Sequence, residues 1–164
     1  MRLRRPLTAL VLAVAVSAIG VGLSLAKTTT TTLKAEKISA LKITALANAR
    51  GRTLYHLKPE TSKPKHLLCT SKTCLSAWFP ATVKSKTTKV KLPKGITGKV
   101  TLLHRGKAYQ ICVGGFPLYT FVGDNAKGKA VGQHIKSFGG IWGVLKTKSA
   151  AKKPVVAPPP PPAY

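Results

Sequence analysis

The chain has 164 residues, 28 lysines and arginines against three acids, four histidines and three cysteines, for a formal net charge of +25. That length carries one small core and no second domain of comparable size. Three acids leave little material for paired-carboxylate chemistry.

The first element is a leader. Arg2, Arg4 and Arg5 precede an apolar run from Leu7 to Ala26, which ends on Ser24-Leu25-Ala26. A charged start, an apolar centre and small residues at a cleavable end predict a secretory signal peptide over 1–26. The alternative is an uncleaved membrane anchor, since about 20 residues can span a bilayer. No cysteine follows the run, which excludes lipid attachment at a mature N-terminal cysteine. Either reading places the remainder outside the cytoplasm, in a secreted or cell-envelope setting. Removing 1–26 takes three arginines and no acid, leaving +22 over 138 residues.

Residues 27–37, opening on the tract Thr28 to Thr32, show no periodicity and are expected to form a linker. Residues 146–164 run through lysines into Pro158 to Pro162 and predict a disordered, extended tail. Between them, 38–145 is punctuated like strands. Residues 42–47 and 53–57 flank the turn Asn48 to Gly51, and 99–103 and 108–113 flank Arg105-Gly106-Lys107; both read as hairpins. A further strand is expected over 117–121. The fold class expected is all-β, a single small domain built from two related hairpin-type repeats, with a signal helix before it and disordered tails.

The repeat rests on a constant offset. Gly51, Leu54, Tyr55, Leu57, Glu60 and Trp78 recur 64 residues later as Gly115, Leu118, Tyr119, Phe121, Asp124 and Trp142. Such a period means one supersecondary unit used twice, over about 51–80 and 115–144. Strand alternation puts Tyr119 and Phe121 on one face and Leu118 on the other. Asp124, beside Gly123 and Asn125, is expected to accept backbone N–H bonds in a turn. These residues therefore read as core aromatics with a turn cap. An aromatic-and-acid pocket for a sugar or small ligand is the functional alternative.

The second copy, Pro117-Leu118-Tyr119-Thr120-Phe121-Val122-Gly123-Asp124 with Gly128 and Gly132-Gln133, resembles the secreted repeat of unknown function found in exported bacterial proteins and lipoproteins. The first copy is similar through Gly51 to Tyr55, Cys69, Cys74 and Ala77-Trp78-Phe79-Pro80, and departs at Leu57 and Glu60. The resemblance implies export and a repeat architecture. It implies no reaction.

Outside the cytoplasm thiols oxidise, and Cys69 and Cys74 close a short loop, which favours a bridge between them worth about 2 kcal/mol. Cys112 is then a buried small hydrophobe on an apolar strand, although three cysteines allow two other single bridges. His56 and His66 with the two cysteines form a thin metal set, because Cys-x4-Cys lacks the usual compact spacing and oxidation removes both sulfurs. No cofactor, metal ligand or catalytic residue is assigned. Most of the charge is lysine, suited to loose contact with polyanions, and no nucleic-acid recognition motif is present. The function expected is a non-catalytic envelope module held weakly, and in a salt-sensitive way, to anionic cell-wall or membrane-surface polymers through distributed contacts. The alternative is a small secreted enzyme or metal-handling protein using His56, His66 and the repeat acids.

Overall fold

A computed structural model describes residues 28–147; the leader and most of the tail lie outside the described residues. Thr30–Thr32 (β1) and Lys34–Ile38 (β2) lead through a 3-10 turn at Ser39–Leu41 into Ile43–Ala47 (β3). Tyr55–Lys58 (β4), Thr61–Ser62 (β5) and Lys65–His66 (β6) precede a short helix, Lys72–Ala77 (α1). Trp78–Pro80 (β7), Thr82–Val83 (β8) and Lys89–Lys91 (β9) complete the first half. The second half comprises Val100–Arg105 (β10), Ala108–Val113 (β11), Phe116–Pro117 (β12), Tyr119–Phe121 (β13), Lys136–Ser137 (β14) and Gly140–Val144 (β15). Among the described residues the fold is all-β apart from one six-residue α-helix, as the turn-punctuated sequence predicts.

The central sheet is antiparallel, in the order β14-β15-β4-β13-β7. At its middle Tyr55 faces Tyr119, the same motif position in both copies. On one side Trp142 pairs with Leu57 and Val144 with Tyr55; on the other Trp78 pairs with Phe121 and Pro80 with Tyr119. Exchanging the copies maps one set onto the other. The tryptophan strand of each copy therefore lies against the tyrosine strand of the opposite copy.

Strand alternation divides the core in two. Tyr55, Leu57, Tyr119, Trp78 and Trp142 fill one cluster, with Phe121 packed against it. Leu46, Leu54, Ile111, Val113 and Leu118 fill the other. The expected split of Leu118 from Tyr119 and Phe121 is what the sheet displays.

Four expectations change. The stretch 27–37 contains two strands: β1 pairs in parallel with β9, and β2 pairs with β3 along all five residues. Threonine and lysine side chains suit these exposed edges, where period-2 burial is faint. Consequently β3 does not form a hairpin with β4; only the bridge Ala47↔Thr53 and the bond from Leu54 N to Leu46 O link them. The strand expected over 117–121 breaks at Leu118, whose N–H goes to Ile111 while its carbonyl accepts from Ala81. The chain thus passes from the β10-β11-β12 sheet into the central one. Finally, Lys146 still bridges Ala45, and Thr147 N bonds to Thr44 O, so the module continues into the residues read as tail.

These bonds extend the duplication beyond the motif. Leu46 N donates to Leu145 O and Ile111 N to Ala81 O, both at 2.8 Å, so β3 corresponds to β11 and the β2–β3 hairpin to β10–β11. The second hairpin closes with Gly106-Lys107 alone, Gly106 taking φ 61 as tight hairpin loops demand.

Gly140 is the tightest backbone approach, since a Cβ there would overlap the Lys58 carbonyl oxygen and press on Leu57. We expect Gly140→Ala to lower stability by about 1–3 kcal/mol or more. Gly106→Ala, with open space around it, should cost about 1 kcal/mol for its positive φ alone. Urea melts of the two variants check the ordering.

Candidate functional site

The motif residues meet in one buried cluster whose hydrogen bonds cross between copies. Tyr55 Oη donates to Asp124 Oδ2 at 2.7 Å, and Tyr119 Oη donates to Glu60 Oε2 at 2.8 Å. Each acid's second oxygen is held by its own turn. Asp124 Oδ1 accepts from Val131 N at 3.0 Å; Glu60 Oε1 accepts from Leu68 N at 2.8 Å and Cys69 N at 2.7 Å. The turn cap expected for Asp124 is therefore present, with the opposite copy's tyrosine added to it.

Each phenol oxygen also accepts a bond: Tyr55 from Gly132 N at 3.3 Å, Tyr119 from Arg105 Nη1 at 2.9 Å. Arg105 further donates to Gln110 Oε1 at 2.7 Å and to the Cys69 carbonyl. Arg105 and Gln110 were not singled out from the sequence. Arg105 reads as part of the turn Arg105-Gly106-Lys107 and Gln110 as one polar residue among Thr101, His104 and Lys107, so neither stands out from ordinary surface alternation.

The aromatic rings complete the cluster. Trp78 and Trp142 stack at 3.6 Å with 4° between their planes. Tyr55 stands edge-on to Trp78 at 5.3 Å and Tyr119 edge-on to Trp142 at 5.2 Å, the geometry ring quadrupoles favour. Phe121 lies tilted on Trp78 at 4.3 Å, whereas its counterpart Leu57 supplies an aliphatic contact. Both tryptophans, both tyrosines and both repeat acids are at most 1% exposed.

Titration follows from this burial. Both phenols are raised well above their ordinary value. Burial is the largest cause for each, followed by the bond to Asp124 for Tyr55 and the charge of Glu60 for Tyr119, the latter opposed by Arg105. Burial also raises Asp124, against the lowering effects of Tyr55, Val131 N–H and the charge of Arg52.

The remaining candidates lie apart from a common site. His56 is buried beside Phe116, its ring pushed down to about 4 by burial and by Lys58, and its Nδ1 has no hydrogen-bond partner. His66 is exposed on β6. Neither histidine hydrogen-bonds to Glu60 or Asp124, whose carboxylates engage the partners above. Among the described residues, no group of three or more His, Cys, Asp or Glu is placed to hold a metal.

Cys69 and Cys74 form a disulfide with a Cα–Cα distance of 5.4 Å. It clips α1, whose N-cap Ser71 accepts from Cys74 N, onto the turn that Glu60 holds. Cys112 is free and buried, its thiol pushed up to about 11 by burial, which keeps it protonated and unreactive.

Against known families the second copy is recognisable. Residues 107–146 match a secreted repeat of unknown function. The match runs from the β10–β11 turn through β15, the second copy of the internal duplication without its strand β10. Shifted by the offset of 64, the same span in the first copy is 43–82, where Leu57 and Glu60 depart from the motif. No curated protein and no solved structure matches the chain.

Two measurements test the crossed bonds. Asp124→Ala strands the Tyr55 hydroxyl and Val131 N–H, and should cost about 1–3 kcal/mol. Combined with Tyr55→Phe it should cost less than the sum, with a coupling of about 1 kcal/mol; strict additivity would contradict the bond. On alkaline titration Tyr55 and Tyr119 should give no tyrosinate absorbance until the fold opens. Because their folded values are raised, stability holds below the ordinary phenol value of 10.0 and falls as pH rises past it.

Proposed function

We propose that this protein is an exported, non-catalytic module that associates with anionic polymers of the cell envelope. The supporting observation is how charge is sorted. All eighteen lysines among the described residues are exposed, while Glu60 and Asp124 are buried and Glu36 is half-buried. Two of only three acids are thus withdrawn into the core, and the surface that meets a partner is almost wholly cationic. The match of residues 107–146 to a secreted repeat agrees with export.

A catalytic reading draws little support from the same geometry. Glu60 and Asp124 spend their oxygens on tyrosines and backbone N–H groups, so neither is poised to exchange a proton with a substrate. Lysine ammonium groups on flexible stems favour encounter and loose retention over shaped recognition.

Retention of the mature chain on purified wall polymer and on anionic vesicles, across a salt series, tests the reading. Each neutralised charge releases condensed counterions, so the logarithm of affinity should fall linearly with the logarithm of salt concentration. Binding near 50 mM salt should fall about 10³-fold or more by 200 mM if six or more charges engage, the scale known for nucleic acid. Absence of binding at low salt, or affinity indifferent to salt, overturns it.

A further inference from the structure

Beside the first hairpin opens a groove of about 1050 Å³ whose walls carry Lys37, Lys42, Lys94 and Lys146. All four lysines are exposed, Ile43 and Thr44 form part of the lining, and no acid contributes to it. Strand alternation turns Glu36 to the other side of β2, where its carboxylate lies near Gly51 and Lys127.

The duplication supplies an internal control for this groove. Lys146 bridges Ala45, and its counterpart Thr82 pairs with Gln110. Ala35 pairs with Leu46 as Leu102 pairs with Ile111, which sets Lys37 opposite His104 in the equivalence. At two groove positions the equivalent surface beside the β10–β11 hairpin therefore has His104 and Thr82 in place of lysine. The connection 39–42 is also two residues longer than Gly106-Lys107, and Lys42 is held there at φ 51, a conformation a non-glycine residue adopts at a cost. The shared fold requires neither the lysines nor the longer turn.

We propose that this groove seats a linear phosphodiester polymer, an inference that rests on the envelope reading above and assigns it a principal contact. Ammonium groups act as point-charge partners for phosphate. An aliphatic floor at Ile43 accommodates the carbon spacers between successive phosphates. Lysines elsewhere on the surface steer the chain in, and the groove sets where it rests.

The full chain is compared with Lys42→Glu/Lys94→Glu and with Lys63→Glu/Lys65→Glu, an equal charge change outside the groove, using poly(glycerol phosphate) as the probe at about 50 mM salt. Lys42→Gln/Lys94→Gln provides a milder version that keeps side-chain length. We expect the groove reversal to weaken binding about tenfold more than the control, to flatten the log–log salt slope by about 1–2, and the glutamine variant to fall between. Equal losses in groove and control variants overturn the groove while leaving the envelope reading intact. Failure of the unaltered chain to bind overturns both. Polyglutamate of matched charge showing the same groove dependence overturns the assignment to phosphodiesters.

Discussion

Two tyrosine hydroxyls, each donated to a carboxylate of the opposite copy, set the terms for the rest of the molecule. A carboxylate removed from water must recover its lost hydration through fixed donors, or it destabilises the fold by several kcal/mol. Asp124 and Glu60 recover it in two parts: backbone N–H groups of their own turns, and a phenol from the other copy. The pairing of Tyr55 with Tyr119 at the sheet centre places both phenols for this exchange. The crossing of β7 and β15 onto the opposite copy's strand then stacks Trp78 on Trp142. Neither copy holds a closed core alone, because one donor to each acid and half of the tryptophan stack belong to the other.

Departures between the copies are compensated locally. Glu60 is one methylene longer than Asp124 and reaches two adjacent N–H groups, at Leu68 and Cys69, where Asp124 reaches one. The disulfide fixes that turn in the first copy; in the second, Gly132 lets the chain run against Trp78 and Tyr55, where a Cβ would have no room. In the paired hairpins Ile38 and Ala45 correspond to Arg105 and Gln110. The first pair is apolar and buried, while the second forms a polar bracket around Tyr119. Arg105 sits where a cation offsets the charge of Glu60 through the intervening phenol.

Much of this was legible in the residues. The offset of 64 and the alternation around Tyr119 gave the duplicated strands and their faces, because side-chain period is fixed by the pleat. The short Cys69–Cys74 loop announced its bridge. What stayed hidden depended on contacts distant in sequence. The Thr/Lys stretch 30–38 forms strands because β9 and β3 lie ready to accept it, while its own composition resembles a linker. The exchange of acids between copies leaves no local mark either. Each acid follows its own tyrosine by five residues, which suggests a bond within the copy, and only the antiparallel pairing at Tyr55 and Tyr119 redirects it.

The same constraint shapes the exterior. A core that requires two carboxylates, in a chain with three acids, leaves Glu36 as the one acid able to moderate eighteen exposed lysines among the described residues. Ordinary globular surfaces intersperse both signs, which suppresses long-range fields. Here the fold's own hydrogen bonding removes the negative partners, so the field around the described residues is nearly unipolar. Salt screens such a field within about 10 Å at 0.1 M. Lys37, Lys42, Lys94 and Lys146 line one groove to which no acid contributes, so part of that field is concentrated there.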